Sequence, residues 1–317
     1  WGVLCRAEVI KLPKIAYIEK NFRKDKLILI DKINEVIRNY TMQGYNLTLR
    51  QVYYQLVARA IIENNEKSYK NIGNLISDAR LAGLIDWNAI EDRTRNMRGN
   101  SHWSTPGQII DSAAYSYHLD HWEGQENYVE VWVEKDALIG IVGQICGQLD
   151  VNFFSCRGYV SQSEMWSAAQ RLKRRQDQGQ NVVLLHLGDH DPSGKDMSRD
   201  IQDRLRVFEA YEVEFHRLAL NMNQIEKYNP PPNPAKLTDS RATQYINEFG
   251  YDSWELDALE PKVISDLIER NVKIYRNEKF YYEIIKQEKM EKNLLSDISS
   301  NWNGIFNNWE DIKNTYC

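Results

Sequence analysis

Apolar residues recur along this chain with one spacing in its first third and another in its middle. Over residues 18–40, Leu27, Ile28, Ile30, Ile33 and Ile37 fall near the helical repeat with charged residues between them, which predicts a long amphipathic helix. Gly44-Tyr45-Asn46 stops it. Thr48 stands where an N-cap is wanted, so a second helix is predicted over 49–58 and, after a polar loop, a third over 69–84. Residues 83–87 close the third and lead to a short strand-like stretch at Arg93-Thr94-Arg95. Three helices with such a tail predict a winged-helix module over 17–112, its third helix suited to a major groove; a generic helical domain shares the pattern.

Residues 100–127 are rich in Ser, Gly, His and aromatics and read as a partly ordered connector, with the interdomain link proper at 113–127. From 128 onward short apolar runs alternate with helical patterns. Tyr128 to Val133, Val151 to Phe154, Val182 to Leu185 and Val213 to Ala219 read as strands, and 139–149, 163–176 and 193–210 as helices. This alternation predicts an α/β fold over 128–317, a parallel sheet flanked by helices. Asn229-Pro230-Pro231-Pro232-Asn233-Pro234 must be a stiff extended loop, and 261–295 is a mostly helical, charged extension. No internal repeat is visible.

Composition narrows the class. At 317 residues the chain suits two domains, and its 42% hydrophobic content can supply their cores. No apolar run approaches the roughly 18 residues of a membrane helix, nothing resembles a signal peptide, and residues 1–16 are an unassigned N-terminal segment that carries little weight in the reading. Cys5, Cys146, Cys156 and Cys317 are scattered without C-x-x-C or Cys/His spacing, which argues for reduced thiols and against zinc or a disulfide framework. A cytoplasmic, nucleoid-associated location is the expectation, with no membrane partner. Net charge is −5, yet residues 1–100 hold 17 Lys+Arg against 11 Asp+Glu (+6) and 101–317 hold 23 against 34 (−11). The basic first third is therefore the better candidate for contact with phosphate.

Candidate chemistry gathers at two strand ends. The run Val182-Val183-Leu184-Leu185 leads into Gly188-Asp189-His190-Asp191-Pro192-Ser193-Gly194, and Tyr128 to Val133 delivers Glu134. Loops past strand C-termini are where α/β sheets collect ligand sites. Alternate residues of an extended segment point the same way, so Asp189 and Asp191 can share a hard cation. Glu134 lies 189 − 134 = 55 positions earlier, far enough for the two strands to lie side by side. Three converging carboxylates repel one another, which makes Mg²⁺ the natural occupant; an Asp-rich turn capping the next helix is the plainer reading of 189–194. His190, between the two aspartates, is a candidate ligand or phosphate contact, although in an extended segment its side chain should point away from theirs, and His186 should be a buried, hydrogen-bonded core residue. Glu255 and Asp257, two apart, are further candidates for the metal site. Arg50 stands four positions before Tyr54 on one helix face, where a guanidinium can lie near a phosphate or ease phenolate formation. No G-x-x-x-x-G-K-[ST] loop occurs, so no ATPase is encoded here.

These residues resemble a known family. Leu49-Arg50-Gln51-Val52-Tyr53-Tyr54, Val133-Glu134-Lys135-Asp136-Ala137, Cys156-Arg157-Gly158-Tyr159 and Gly188 to Gly194 are similar, in order, to motifs of the topoisomerase VI A subunit and its relatives that initiate meiotic recombination. Val160-Ser161 stands where that family has Pro-Asp. The chain is closest in length to the stand-alone Mini-A type of mobile elements. The resemblance implies a winged-helix domain followed by a Toprim domain, with Tyr54 as nucleophile assisted by Arg50. It implies Glu134, Asp189 and Asp191 as Mg²⁺ ligands, and a homodimer that cuts double-stranded DNA through a 5′-phosphotyrosyl bond, with or without a separate ATPase subunit. Arg157, Lys195, Arg199 and Arg241 are the basic side chains expected to meet DNA. A Toprim nuclease that hydrolyses DNA with a metal-activated water, and a non-catalytic winged-helix binding protein, remain the alternatives.

Overall fold

The computed structural model describes residues 14–91, 101–236 and 238–316. Its first unit is helical: α1 (Lys24–Thr41), the short strand β1 (Leu47–Thr48), α2 (Leu49–Ala58), α3 (Glu66–Leu81) and β2 (Ile90–Glu91), which pairs parallel with β1. Ile30, Ile33 and Val36 of α1 pack with Val52 and Leu56 of α2 and Ile72, Leu75 and Ile76 of α3. Thr48 caps α2 as predicted, in a reciprocal box with Gln51. α3 starts at Glu66, after its Asn65 cap, three residues before the predicted start. α1 begins six residues after the predicted 18, because the Tyr17 and Ile18 amides donate to Leu81 O and tie that stretch to the end of α3. Gly83 turns there with φ +70°, and a Cβ on it would lie 2.8 Å from Ala16 N, so only glycine fits. Arg93-Thr94-Arg95 falls outside the described residues.

Within the segment read as a connector, Thr105 caps an ordered helix, α4 (Pro106–Ser116). Then come β3 (Asn127–Val133), α5 (Ile139–Leu149), β4 (Asn152–Ser155), α6 (Gln162–Asp177), β5 (Asn181–Leu187), α7 (Pro192–Val207) and β6 (Val213–Ala219). All four strands pair in parallel in the order β4-β3-β5-β6. The chain steps from β3 outward to β4, then crosses back to the other side of β3. The two directions of winding put α5 on one face, against Val129, Val131 and Val133, and α6 and α7 on the other, against Tyr128 and Trp132. β3 and β5 thus flank the topological switch point, where neighbouring loops leave in opposite directions and open a crevice at the strands' C-terminal ends. Val133 pairs with Leu187, so Glu134 and Gly188 enter that crevice together.

The rest of the chain closes around this end of the sheet. After α8 (Met222–Tyr228), the proline loop pairs briefly, β7 (Asn233–Pro234) with β8 (Asp252–Ser253), around α9 (Ala242–Phe249). His190 and Trp254 exchange backbone hydrogen bonds of 2.8 and 2.9 Å, which fastens a 3₁₀ turn, Leu256–Ala258, beside the 188–191 loop. α10 (Pro261–Ile274) packs on α5, α11 (Glu278–Ser300) on α4, and α12 (Trp302–Tyr316) follows.

Candidate active site

Glu134 is the hub of the crevice. Its Oε2 accepts the Asp189 amide at 2.9 Å, and a Cβ on Gly188 or on Gly194 would lie 2.9 or 3.0 Å from that same oxygen. Gly188 is therefore required by the close approach of that carboxylate and Gly194 chiefly by the Asp189 carbonyl oxygen, which its Cβ would approach to 2.3 Å; neither glycine has a positive φ. Asp189 accepts the Leu256 amide on Oδ1 at 2.7 Å and pairs with Lys135 through Oδ2 at 2.7 Å. Asp191 caps α7, its Oδ1 accepting the Gly194 amide at 2.6 Å, so the plainer reading of this turn holds for that oxygen. Arg217, from β6, holds the loop from beneath by donating to the carbonyls of Gly188, Asp189 and Gly194.

Around these acids lies a shared lattice of charge. Lys135 reaches Asp189, Glu255 and Asp257, while Arg50 pairs with Glu255 at 2.5 Å and with Asp257 at 2.8 Å. The Asp257 side chain is 0% exposed. Burial by itself would lower both cations' pKa values, but the carboxylates outweigh it and raise them, so both stay charged. Glu255 is pulled below the usual carboxylate range: burial works against this, and Lys135 and Arg50 prevail. Glu134 and Asp189 move the other way. Burial lifts both, with Asp191 adding to Glu134 and the neighbouring carboxylates adding to Asp189 against Lys135.

Tyr54 stands over this lattice. α2 packs against the 3₁₀ turn, so Tyr54, 6% exposed, touches Ala258 and lies with its ring 5.6 Å from the Arg50 guanidinium carbon. Burial, then Glu255 and Asp257, push its phenol up to about 12 against the opposing effect of Arg50 and Lys135. Arg50 does favour the phenolate, as expected, but in this arrangement it does not prevail. Tyr53 is a packing residue, edge-on to Tyr54 and Tyr69 and bonded to Asn64.

The donor set fits a hard cation in kind: buried carboxylates that raise one another's pKa values are relieved by positive charge, and Mg²⁺ needs only one or two of them directly. Glu134, Asp189 and Asp191 would hold it. They are not drawn to a single-ion span, however. Among the described residues, the one trio of His, Cys, Asp or Glu whose ligand atoms all lie within 4.8 Å is His118, His121 and Glu288, elsewhere in the fold.

The four basic candidates fall into two depressions. Arg157, 73% exposed and paired with Asp136, lines one with Arg50, Glu134 and Lys135. Lys195, Arg199 and Arg241 line the other beside Pro192 and Tyr245. Arg199 and Arg241 both pair with Asp196, and Arg241 also meets the Tyr159 hydroxyl. His190 points into an aromatic nest of Tyr245, Phe249 and Trp254, away from the acids, and His186 is buried on Ser198. Lys135 and Arg217 were given no role from sequence; a charged residue at or just past a strand's C-terminal end was the available signal. Glu255 and Asp257 join Arg50 and Lys135 directly. No family model matches the chain, and no curated protein does.

Proposed function

We propose that this chain cleaves double-stranded DNA by transesterification, with Tyr54 as nucleophile, the N-terminal helices serving as a winged-helix module and the sheet as a Toprim domain. The observation that most supports this reading is the docking of α2 on the 3₁₀ turn. It ties Arg50, one helical turn before Tyr54, to Glu255 and Asp257, which share Lys135 with Asp189. A tyrosine, two cations suited to phosphate and the strand-end acids thus form one neighbourhood at the sheet's switch point. In the reaction the Tyr54 hydroxyl gives up its proton to solvent and its oxygen bonds to phosphorus, the bond from phosphorus to the 3′ oxygen breaks, and that oxygen takes up a proton from solvent, so no net proton is gained or lost. Arg50 and Arg157 would orient the phosphate. Mg²⁺ at Glu134, Asp189 and Asp191 would supply positive charge against the charge that develops on it. The homodimer belongs to the same proposal: α2 would dock on the equivalent turn of a second copy, so that the same set of contacts forms between the two chains.

Hydrolysis by a metal-activated water is the second reading, favoured by one observation: Tyr54 is buried and holds its proton up to about pH 12. One experiment separates the two. Supercoiled plasmid is incubated with the protein and Mg²⁺, stopped with SDS, and resolved with and without protease. Protein-linked linear DNA, absent with Tyr54→Phe and with Asp189→Asn, is the expected result. Protein-free breaks that survive Tyr54→Phe would establish the hydrolytic reading, and no Mg²⁺-dependent breaks at all would sink both.

A further inference from the structure

At the opposite end of the sheet, three chain segments bring two imidazoles and two carboxylates together. His118 and His121 come from the loop between α4 and β3, Glu288 from the middle of α11, and Asp150 from the residue that ends α5. Glu288 Oε2 lies 2.9 Å from His118 Nδ1, 2.8 Å from His121 Nε2 and 2.9 Å from the Leu119 amide. Asp150, held left-handed at φ +51°, accepts His118 Nε2 at 2.8 Å and the His121 amide at 2.7 Å. Lys292 takes the other Glu288 oxygen at 2.7 Å. His121 Nδ1 is buried with no hydrogen-bond partner, and Asp150 Oδ2 lies 3.7 Å from it.

We propose that His118 Nδ1, His121 Nε2 and Glu288 Oε2 bind one Zn²⁺ ion, with Asp150 orienting the His118 ring. Without a metal, one carboxylate oxygen faces three nitrogens, and His118 has a carboxylate on each of its ring nitrogens. A divalent ion replaces the imidazole protons that this crowding requires. Two imidazoles and a carboxylate are donors that suit zinc, and tetrahedral zinc with ligands at about 2.0–2.1 Å sets ligand atoms about 3.4 Å apart, about half an ångström wider than the two Glu288–imidazole separations here. A ligating histidine usually donates its other ring N–H to a carboxylate, and Asp150 stands at that position for His118. His118 is 46% exposed, so solvent can supply the fourth ligand.

The site is structural in placement. α5 starts just past Glu134 and runs 11 residues to Leu149, about 16 Å along its axis, so the ion sits at the far end from the acids. It fastens α11, and through it α4, to the base of the sheet. The reading against zinc rested on the scattered cysteines; His118-Leu119-Asp120-His121 carries the signal instead, completed by a glutamate 167 positions beyond His121.

The test is Co²⁺ titration of the full chain, read by visible absorption, beside elemental analysis of protein purified without chelator. One zinc per chain, and one Co²⁺ with the intense absorption of a four-coordinate site, displaced by Zn²⁺ but not by Mg²⁺, is expected. Asp189→Asn should leave both intact, His118→Gln should abolish the band while circular dichroism stays native, and Asp150→Asn should weaken binding about 10–100-fold. Zn²⁺ at about 100 times its dissociation constant should raise the thermal midpoint by roughly 5–10 °C. Fewer than about one metal in ten chains with no Co²⁺ band, or a band lost in Asp189→Asn and kept in His118→Gln, would overturn the proposal, whatever the fate of the DNA-cleavage reading.

Discussion

Replacing Lys135 with methionine tests the charge lattice at its centre. Three carboxylates, Asp189, Glu255 and Asp257, pair with two cations, Lys135 and Arg50, so the group carries 2 − 3 = −1, and the substitution makes it 1 − 3 = −2. Methionine keeps most of the side chain's volume, which leaves charge as the main change. Removing one partner of a buried ion pair costs about 3–5 kcal/mol. Asp189 limits the damage, because burial has already raised its pKa and it can take up a proton at about 1.4 kcal/mol per pH unit. The expected loss is about 3 kcal/mol near pH 7, shrinking as the pH falls and protonation replaces the missing ammonium. Mg²⁺ should return part of it, about 1.4 kcal/mol at tenfold excess over its dissociation constant, and should stabilise Lys135→Met more than the wild type, in which Lys135 competes for Asp189. Urea unfolding followed by circular dichroism, with and without Mg²⁺, measures both. A variant that unfolds at the wild-type midpoint, or that gains no more from Mg²⁺ than the wild type does, would refute the reasoning.

Two further outcomes follow from the same geometry. Burial, then the nearby Arg217 charge, lowers His186 from 6.5 to about 3, so the unfolded chain binds its proton first as the pH falls. Its contribution is intact above about pH 6.5 and declines toward about pH 3; near pH 5 this amounts to roughly 2 kcal/mol, which His186→Asn should remove from the pH dependence of unfolding, and an unchanged profile would contradict the assignment. Gly194→Ala would put a Cβ 2.3 Å from the Asp189 carbonyl oxygen, a backbone atom that cannot move without carrying the loop with it. A loss of about 1–3 kcal/mol and weakened Mg²⁺ binding are expected in titration calorimetry, and native affinity would show that the loop is not held as described.

Much of this chain was legible from order and period alone. The strands at 127–133 and 181–187 are short and apolar on both faces because both faces are covered, and that is a local property of composition. Thr48 and Asp191 announce where helices start, and the glycines at 188 and 194 where regular structure breaks; that each glycine also admits a close neighbour is seen only in the fold. Glu134 and Asp189 could be placed at strand ends for the same reason: a strand's end is set by its own residues. The start of α1 was misread because Tyr17 and Ile18 bond to the end of α3, which no periodicity reports.

What tertiary structure alone decided is which charges meet. Arg50 and Glu255 are 205 positions apart, and the His190–Trp254 bridge that brings the 3₁₀ turn to the crevice pairs two residues with no shared pattern. Likewise the span of Lys135 across Asp189, Glu255 and Asp257, and the grip of Arg217 on the loop, follow from strand order and from the α2 contact. Sequence period encodes which face of an element is apolar, because burial acts residue by residue. It does not encode the partner of a buried charge, since that depends on which elements the core packs side by side.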